Sequence, residues 1–294
     1  MLAAAIFTVV ALIAFASGAA VVVASKGSAR SAISLARTVS VRCDSPALGG
    51  ALPTLVYLPA GYQSSSASYR VIYFLHGLPA GPTSYTANAF VAASVAASGR
   101  RAIVVAPQGA RDQGSDPEYL DLEAAQDWPA AISRDLPHCI DQRFRTIRSR
   151  FGRALVGLSA GGYGAFNIGL RNLSTFGAVE SWSGYFAATD PSGDHILNLG
   201  SSKANSDARV PSGSGLAGAL KTWPALIAFY VGAQDSRFLA MNKLYDAALT
   251  QSGVAHVFRI YSGGHTSALW HAQASHWLGV ALDSLSSEVG HRGR

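Results

Sequence analysis

After residue 37 the chain alternates short apolar runs with longer stretches of helical spacing. That alternation predicts an α/β fold, a mainly parallel central sheet with helices on both faces. Thr38 to Arg42 and Leu52 to Leu58 predict an antiparallel opening pair about the turn Gly49-Gly50. Val71–Leu75, Ala102–Ala106, Ala154–Leu158, Ala178–Trp182, Leu226–Val231 and His256–Tyr261 follow as core strands. Residues 123–142 place Trp128, Ile132, Leu136 and Ile140 on one helical stripe, with Pro137 expected to kink the last turns. Further helices are predicted over Gly164–Leu173, Leu239–Leu249 and Ser267–Leu285. Residues 186–222 are polar, rich in Ser, Gly and Asp, and show no clear period. A segment that long inside a compact domain is expected to be a lid or a substrate-binding insertion.

The N-terminus differs from this pattern. Residues 2–24 are nearly all apolar, with no charge before Lys26. The run approaches the length of a membrane-crossing helix and exceeds a usual signal h-region, while Ala16 to Ala20 offer small residues for a signal-peptidase site. Lys26, Arg30 and Arg37 follow the run instead of preceding it, which by the positive-inside rule favours a cytoplasmic C-terminal side. These cues conflict. Low lysine and the cysteine count tip the reading to a protein that is secreted or anchored at the cell envelope through residues 2–24. Residues 1–36 are therefore set aside as leader and linker, and 37–294 as one catalytic domain.

Composition adds bounds. With 294 residues and 49% hydrophobic content, the chain can bury a large single core. The net charge of +6 comes mostly from scattered arginines, densest from Arg143 to Arg153. That run lacks aromatic interleaving or a recognition-helix pattern, so no nucleic-acid partner is expected and a solvated basic face is the default. Cys43 and Cys139 would pair in an oxidising compartment, tying the first strand to a later helix, or remain two buried thiols; both readings stay open. No CxxC, HExxH or zinc-ligand spacing occurs, so no metal and no cofactor is expected.

The candidate chemistry lies at the strand ends. Gly157-Leu158-Ser159-Ala160-Gly161 follows a strand and enters a helix, the context in which a GxSxG pentapeptide exposes a nucleophilic serine on a sharp turn. The pentapeptide alone is weak, since a glycine-rich helix entrance with an N-cap serine looks similar. Its partners give it weight. Asp235 ends Gly232-Ala233-Gln234-Asp235 just past one strand, and His265 follows Gly263-Gly264 past the last strand, in the order Ser, Asp, His. Asp190, Asp194 and Asp246 are rival acids, two in the irregular segment and one inside a helix. His256, His271 and His276 read as packing or surface residues. His76-Gly77-Leu78 follows an early strand, where one oxyanion donor belongs. Leu78 and Ala160 are the expected backbone N–H donors, with His76 bracing the loop.

With these residues in place the chain resembles the esterase D / antigen 85-like branch of the α/β-hydrolases, which includes feruloyl esterases, S-formylglutathione hydrolases and mycolyltransferases. The carriers are Tyr73 to Leu78, Trp128 with Asp135-Leu136-Pro137, Gly157 to Ala165, Ser181 to Phe186, Gly232 to Asp235, and Gly263 to Thr266 with Trp270. The resemblance implies an α/β-hydrolase fold, Ser159 as nucleophile, His265 as base, Asp235 as acid, and a small-molecule or lipid ester as substrate. Mycolyltransferases usually place an aspartate before the Gly-Leu of the oxyanion loop, where this chain has His76, and that leans toward hydrolysis. S-formylglutathione hydrolases are cytosolic and lack an apolar leader. Acyl transfer to a sugar or lipid hydroxyl at the cell envelope is the second expectation, and a non-catalytic envelope binding protein the third.

Overall fold

The computed structural model describes residues 37–79, 81–109, 119–121, 126–190 and 195–285. The apolar run at 2–24, the rest of the leader and the rival acid Asp194 lie outside the described residues. Among those described, no helix is long and apolar enough to cross a membrane.

Eight strands form one sheet: β1 (Arg37–Ser45), β2 (Gly50–Leu58), β3 (Arg70–Leu75), β4 (Ala102–Pro107), β5 (Arg153–Leu158), β6 (Ala178–Trp182), β7 (Leu226–Gly232) and β8 (Val257–Tyr261). Their order is β1-β2-β4-β3-β5-β6-β7-β8. β1 with β2 and β2 with β4 pair antiparallel, and every later pair is parallel. This is the α/β-hydrolase arrangement. The inner strands are mostly apolar because both faces are covered, with Glu180 and Ser181 on β6 as buried polar exceptions. Alternation along β3 sends Val71, Tyr73 and Leu75 to one apolar layer and Ile72 and Phe74 to the other.

The first layer packs α3 (Leu136–Arg143), α4 (Ala160–Gly169) and α7 (Leu239–Gln251) through Leu136, Ile140, Phe166 and Tyr245. On the other face lie α1 (Ala89–Ala97) and α8 (Ser267–Ser284), through Val91, Val95, Trp277 and Leu278. Helix α1 is absent from the sequence reading. Its residues, Ala89-Phe90-Val91-Ala92-Ala93-Ser94-Val95-Ala96-Ala97, offer almost no polar face from which to read a period.

Several expectations are sharpened or corrected. The stripe Trp128, Ile132, Leu136 and Ile140 is buried as predicted, but the helix around it is not α-helical throughout. Asp127 caps α2 (Trp128–Ala130) by accepting from the Ala130 N–H at 2.9 Å. A π-turn over Ala131–Asp135 then leads into α3, and this wider turn comes just before Pro137, the residue with no N–H to give to an α-helical ladder. Cys43 and Cys139 form a disulfide, with Cα atoms 5.7 Å apart. Beside it Asp135 accepts from Ser45 Oγ at 2.8 Å and from the Ala47 N–H at 3.1 Å.

The arginine run is only in part a solvated basic face: Arg143 and Arg148 are exposed, but most of the run is engaged by the protein itself. Arg145 donates to the Tyr62 carbonyl, and Arg148 donates to the Asp141 carbonyl at 2.6 Å. Arg153 pairs with the Asp141 carboxylate. Arg150, 5% exposed, donates to the Leu173 carbonyl at 2.7 Å and also to the Pro224 carbonyl. These guanidinia bind α3 at Asp141 and the loops at Tyr62, Leu173 and Pro224, using a rigid fork suited to several acceptors.

The 186–222 segment also has structure that its composition hides. It holds α5 (Ser202–Asp207) and α6 (Gly213–Thr222), with bridges Ala187↔Arg209 and Thr189↔Ile196. Tyr163 Oη donates to the Ala208 carbonyl at 2.7 Å, and Tyr245 Oη to the Pro211 carbonyl at 2.7 Å. The segment is thus fastened to α4 and α7.

Candidate active site

Ser159 sits between β5 and α4 with φ 54° and ψ −122°, a conformation that non-glycine residues rarely adopt. Strain of this kind costs about 1–3 kcal/mol and persists where the surroundings over-determine it. Here a Cβ at Gly161 would stand 2.1 Å from the Leu75 carbonyl oxygen, so only glycine lets α4 start this close to β3. The helix begins at Ala160, ahead of the predicted Gly164 start. At Gly77 an added Cβ would be 3.0 Å from Ser159 Cβ, which puts the 76–78 loop directly against the nucleophile turn.

Three side chains from three loops converge. His265 Nε2 lies 2.9 Å from Ser159 Oγ, and His265 Nδ1 lies 2.8 Å from Asp235 Oδ2. The network assigns the tautomer: Nδ1–H donates to the carboxylate, leaving Nε2 to accept from the hydroxyl. Asp235 is 1% exposed, and its Oδ1 accepts from the Phe238 N–H at 3.2 Å, which fixes the carboxylate plane. Phe238 and Trp270 both stand edge-to-face against the imidazole, with ring centroids 5.2 and 5.0 Å away.

The rival residues are engaged elsewhere. Asp246 pairs with His256 Nε2 at 2.8 Å, and Asp190 with His195 Nδ1 at 3.0 Å. His256 precedes β8 instead of lying inside it, and His271 and His276 lie in α8 as expected. His76 braces the 76–78 loop: its Nε2 accepts from the Gly109 N–H at 2.8 Å, while its carbonyl accepts from Tyr119 Oη at 2.9 Å. Burial lowers the pKa of His76 and keeps it neutral, as an acceptor nitrogen must be.

A cavity of about 230 Å³ opens over the serine, lined by Leu78, Ser159, Tyr185, Arg237, Phe238 and Trp270 among others. Asp190 is the residue of the 186–222 segment that joins this lining among the described residues. The sequence reading gave no role to Tyr185, Arg237 or Phe238. Their signal was adjacency to a strand end or to Asp235, which does not say which way a side chain faces. A larger groove of about 740 Å³ follows α3, but its Ser133 hydroxyl donates to the Pro129 carbonyl and its His138 bonds to Gln142. The hydrogen-bonded Ser159–His265 pair belongs to the smaller cavity. Among the described residues, no group of three or more His, Cys, Asp or Glu side chains could hold a metal ion.

Relatives agree with this architecture. An esterase of Mycobacterium tuberculosis is 28% identical over 131 residues, which make up 44% of this chain and 28% of that protein. The chain therefore aligns with well under half the length of that curated relative. A ferulic acid esterase superposes with a TM-score of 0.69 at 23% identity, over 85% of this chain and 99% of that one. An S-formylglutathione hydrolase from Staphylococcus aureus does so with 0.60 at 17%, over 84% and 98%. At such identities the two structures speak for the fold. The match to the esterase family ("Putative esterase") covers residues 45–277, from the end of β1 into α8 and across all three strand-end loops, and the chain belongs to that family.

Proposed function

We propose that this protein hydrolyses carboxylic esters through an acyl-enzyme on Ser159. The observation that carries the reading is the relay of 2.9 and 2.8 Å from Ser159 through His265 to Asp235. Ser159 Oγ attacks the ester carbonyl carbon while His265 Nε2 takes the hydroxyl proton. The Leu78 and Ala160 N–H groups donate to the resulting oxyanion. Ala160 is the first residue of α4, so its N–H lies outside the helix's own ladder. Each such donor is worth about 2.7–4 kcal/mol in the transition state. The imidazolium, steadied by Asp235, returns its proton to the departing alkoxide, and a water then repeats the sequence on the acyl-enzyme.

Tyr185, Phe238 and Trp270 around 230 Å³ support a small acyl group. Water as acceptor, instead of an envelope alcohol, is supported by His76 where mycolyltransferases usually carry aspartate. Residues 2–24 and the disulfide support a secreted or membrane-anchored protein, since such bonds persist in oxidising compartments. Turnover of a short p-nitrophenyl ester and labelling of Ser159 by a fluorophosphonate probe test the reading. Free acid is expected as product even with glycerol or trehalose present. Equal rates for wild type and Ser159→Ala would overturn the proposal.

A further inference from the structure

We propose that Ser183 and Trp270 are positioning residues for His265, an inference that rests on the Ser159–His265–Asp235 reading. Ser183 directly follows β6, is fully buried and has φ 49°, in the left-handed region. Its N–H donates to the Tyr230 carbonyl at 2.7 Å, which pins the residue to β7. A glycine would take this backbone conformation without strain. What serine adds is a hydroxyl, and that hydroxyl accepts from the indole Nε1–H of Trp270 at 3.1 Å, across 87 residues of sequence.

The indole held in this way stands against the imidazole at 5.0 Å between centroids and 89° between planes. Phe238 also stands against the imidazole, at 5.2 Å and 64°. The two hydrogen bonds of His265 define a line through Nδ1 and Nε2 but leave the ring free to tilt about it. The flanking rings limit that tilt, and an edge-to-face arrangement is favourable in itself. Ser183 fixes the indole by its one polar atom, the indole fixes the tilt of the imidazole, and the imidazole then meets the serine hydroxyl in line. Two strained serines, Ser159 and Ser183, end adjacent strands at this site, where unfavourable backbone geometry tends to serve a function.

The test uses the full chain and four proteins: wild type, Ser183→Gly, Trp270→Phe and the double variant. Ser183→Gly removes the hydroxyl and also relieves the backbone, so its thermal midpoint is expected to equal or exceed that of wild type. Its kcat is expected to fall about tenfold, in keeping with the cost of small misplacements of reacting groups, with KM within about twofold. Trp270→Phe has no N–H to anchor, so adding Ser183→Gly to it should change kcat no further. Wild-type kcat in Ser183→Gly would overturn the inference, as would an equal loss in both backgrounds. Failure of the underlying triad looks different: Ser159→Ala would then keep the wild-type rate whatever stands at 183.

Discussion

Nδ1 of His265 lies 2.8 Å from Oδ2 of Asp235 because their loops leave the same end of two parallel, hydrogen-bonded strands, β7 and β8. The loops are also tied directly, with the Gln234 N–H donating to the Gly263 carbonyl at 2.9 Å. Asp235→Asn keeps an acceptor for the Phe238 N–H but can present an amide N–H to His265. The ring would then hold its proton on Nε2 and could not accept from Ser159. A fall in kcat on the order of 10⁴-fold is expected, with the fold intact by circular dichroism.

Gly161→Ala is expected to be costly far beyond a usual surface change. Its Cβ would meet the Leu75 oxygen at 2.1 Å and the His76 oxygen at 2.5 Å, both backbone atoms unable to swing away. A loss at or above the roughly 3 kcal/mol upper end of ordinary overpacking penalties is expected in urea unfolding. The 76–78 loop, proposed to supply an oxyanion donor, would shift with it, so residual activity should be low even where the variant folds.

Glu180 gives a pH-dependent stability. It is fully buried on β6, with Oε2 accepting from Trp182 Nε1 at 3.1 Å, and burial raises its pKa well above the usual carboxylate value despite hydrogen bonds from Trp182 and the Ala281 backbone. A group whose folded pKa is raised contributes stability that is fully present below its unfolded value, about 4.3. That contribution is lost as pH rises toward the folded value. Glu180→Gln has no such proton to lose. The Tm difference, variant minus wild type, should therefore grow steadily from pH 4 upward; a constant difference would refute the assignment.

Removing the disulfide with Cys43→Ala and Cys139→Ala is expected to cost about 2–4 kcal/mol, because it frees a loop of 96 residues in the unfolded chain. Activity at 25 °C should nonetheless survive. Asp135, just before α3, ties the same region to Ser45 of β1 and to Ala47, and Ser159, Asp235 and His265 lie at other strand ends. Denaturant midpoints and ester turnover of the double variant, measured side by side, check both halves.

Ser159, Asp235 and His265 were legible in the sequence because each sits at a predictable place, just past an apolar strand and beside glycines. The central strands were legible for the same reason: a buried parallel strand has few residue types to choose from. Helix α1 was not, since an alanine-rich segment gives little contrast between faces. Nor was the use of Arg145 and Arg150, because the Tyr62, Leu173 and Pro224 carbonyls they bind lie in loops that are distant in sequence.

Sequence alone determined where the strands and most of the helices fall and put Ser159, Asp235 and His265 each just past a strand. These follow from local periodicity, from turn chemistry and from the few residue types that each position allows. Tertiary structure alone decided which aromatic rings flank His265, that Ser183 meets Trp270 across 87 residues, and that Asp190 reaches the cavity over Ser159. Such contacts depend on the strand order β3-β5-β6-β7-β8 and on side-chain direction. Neither quantity leaves a mark on nearest neighbours in the chain.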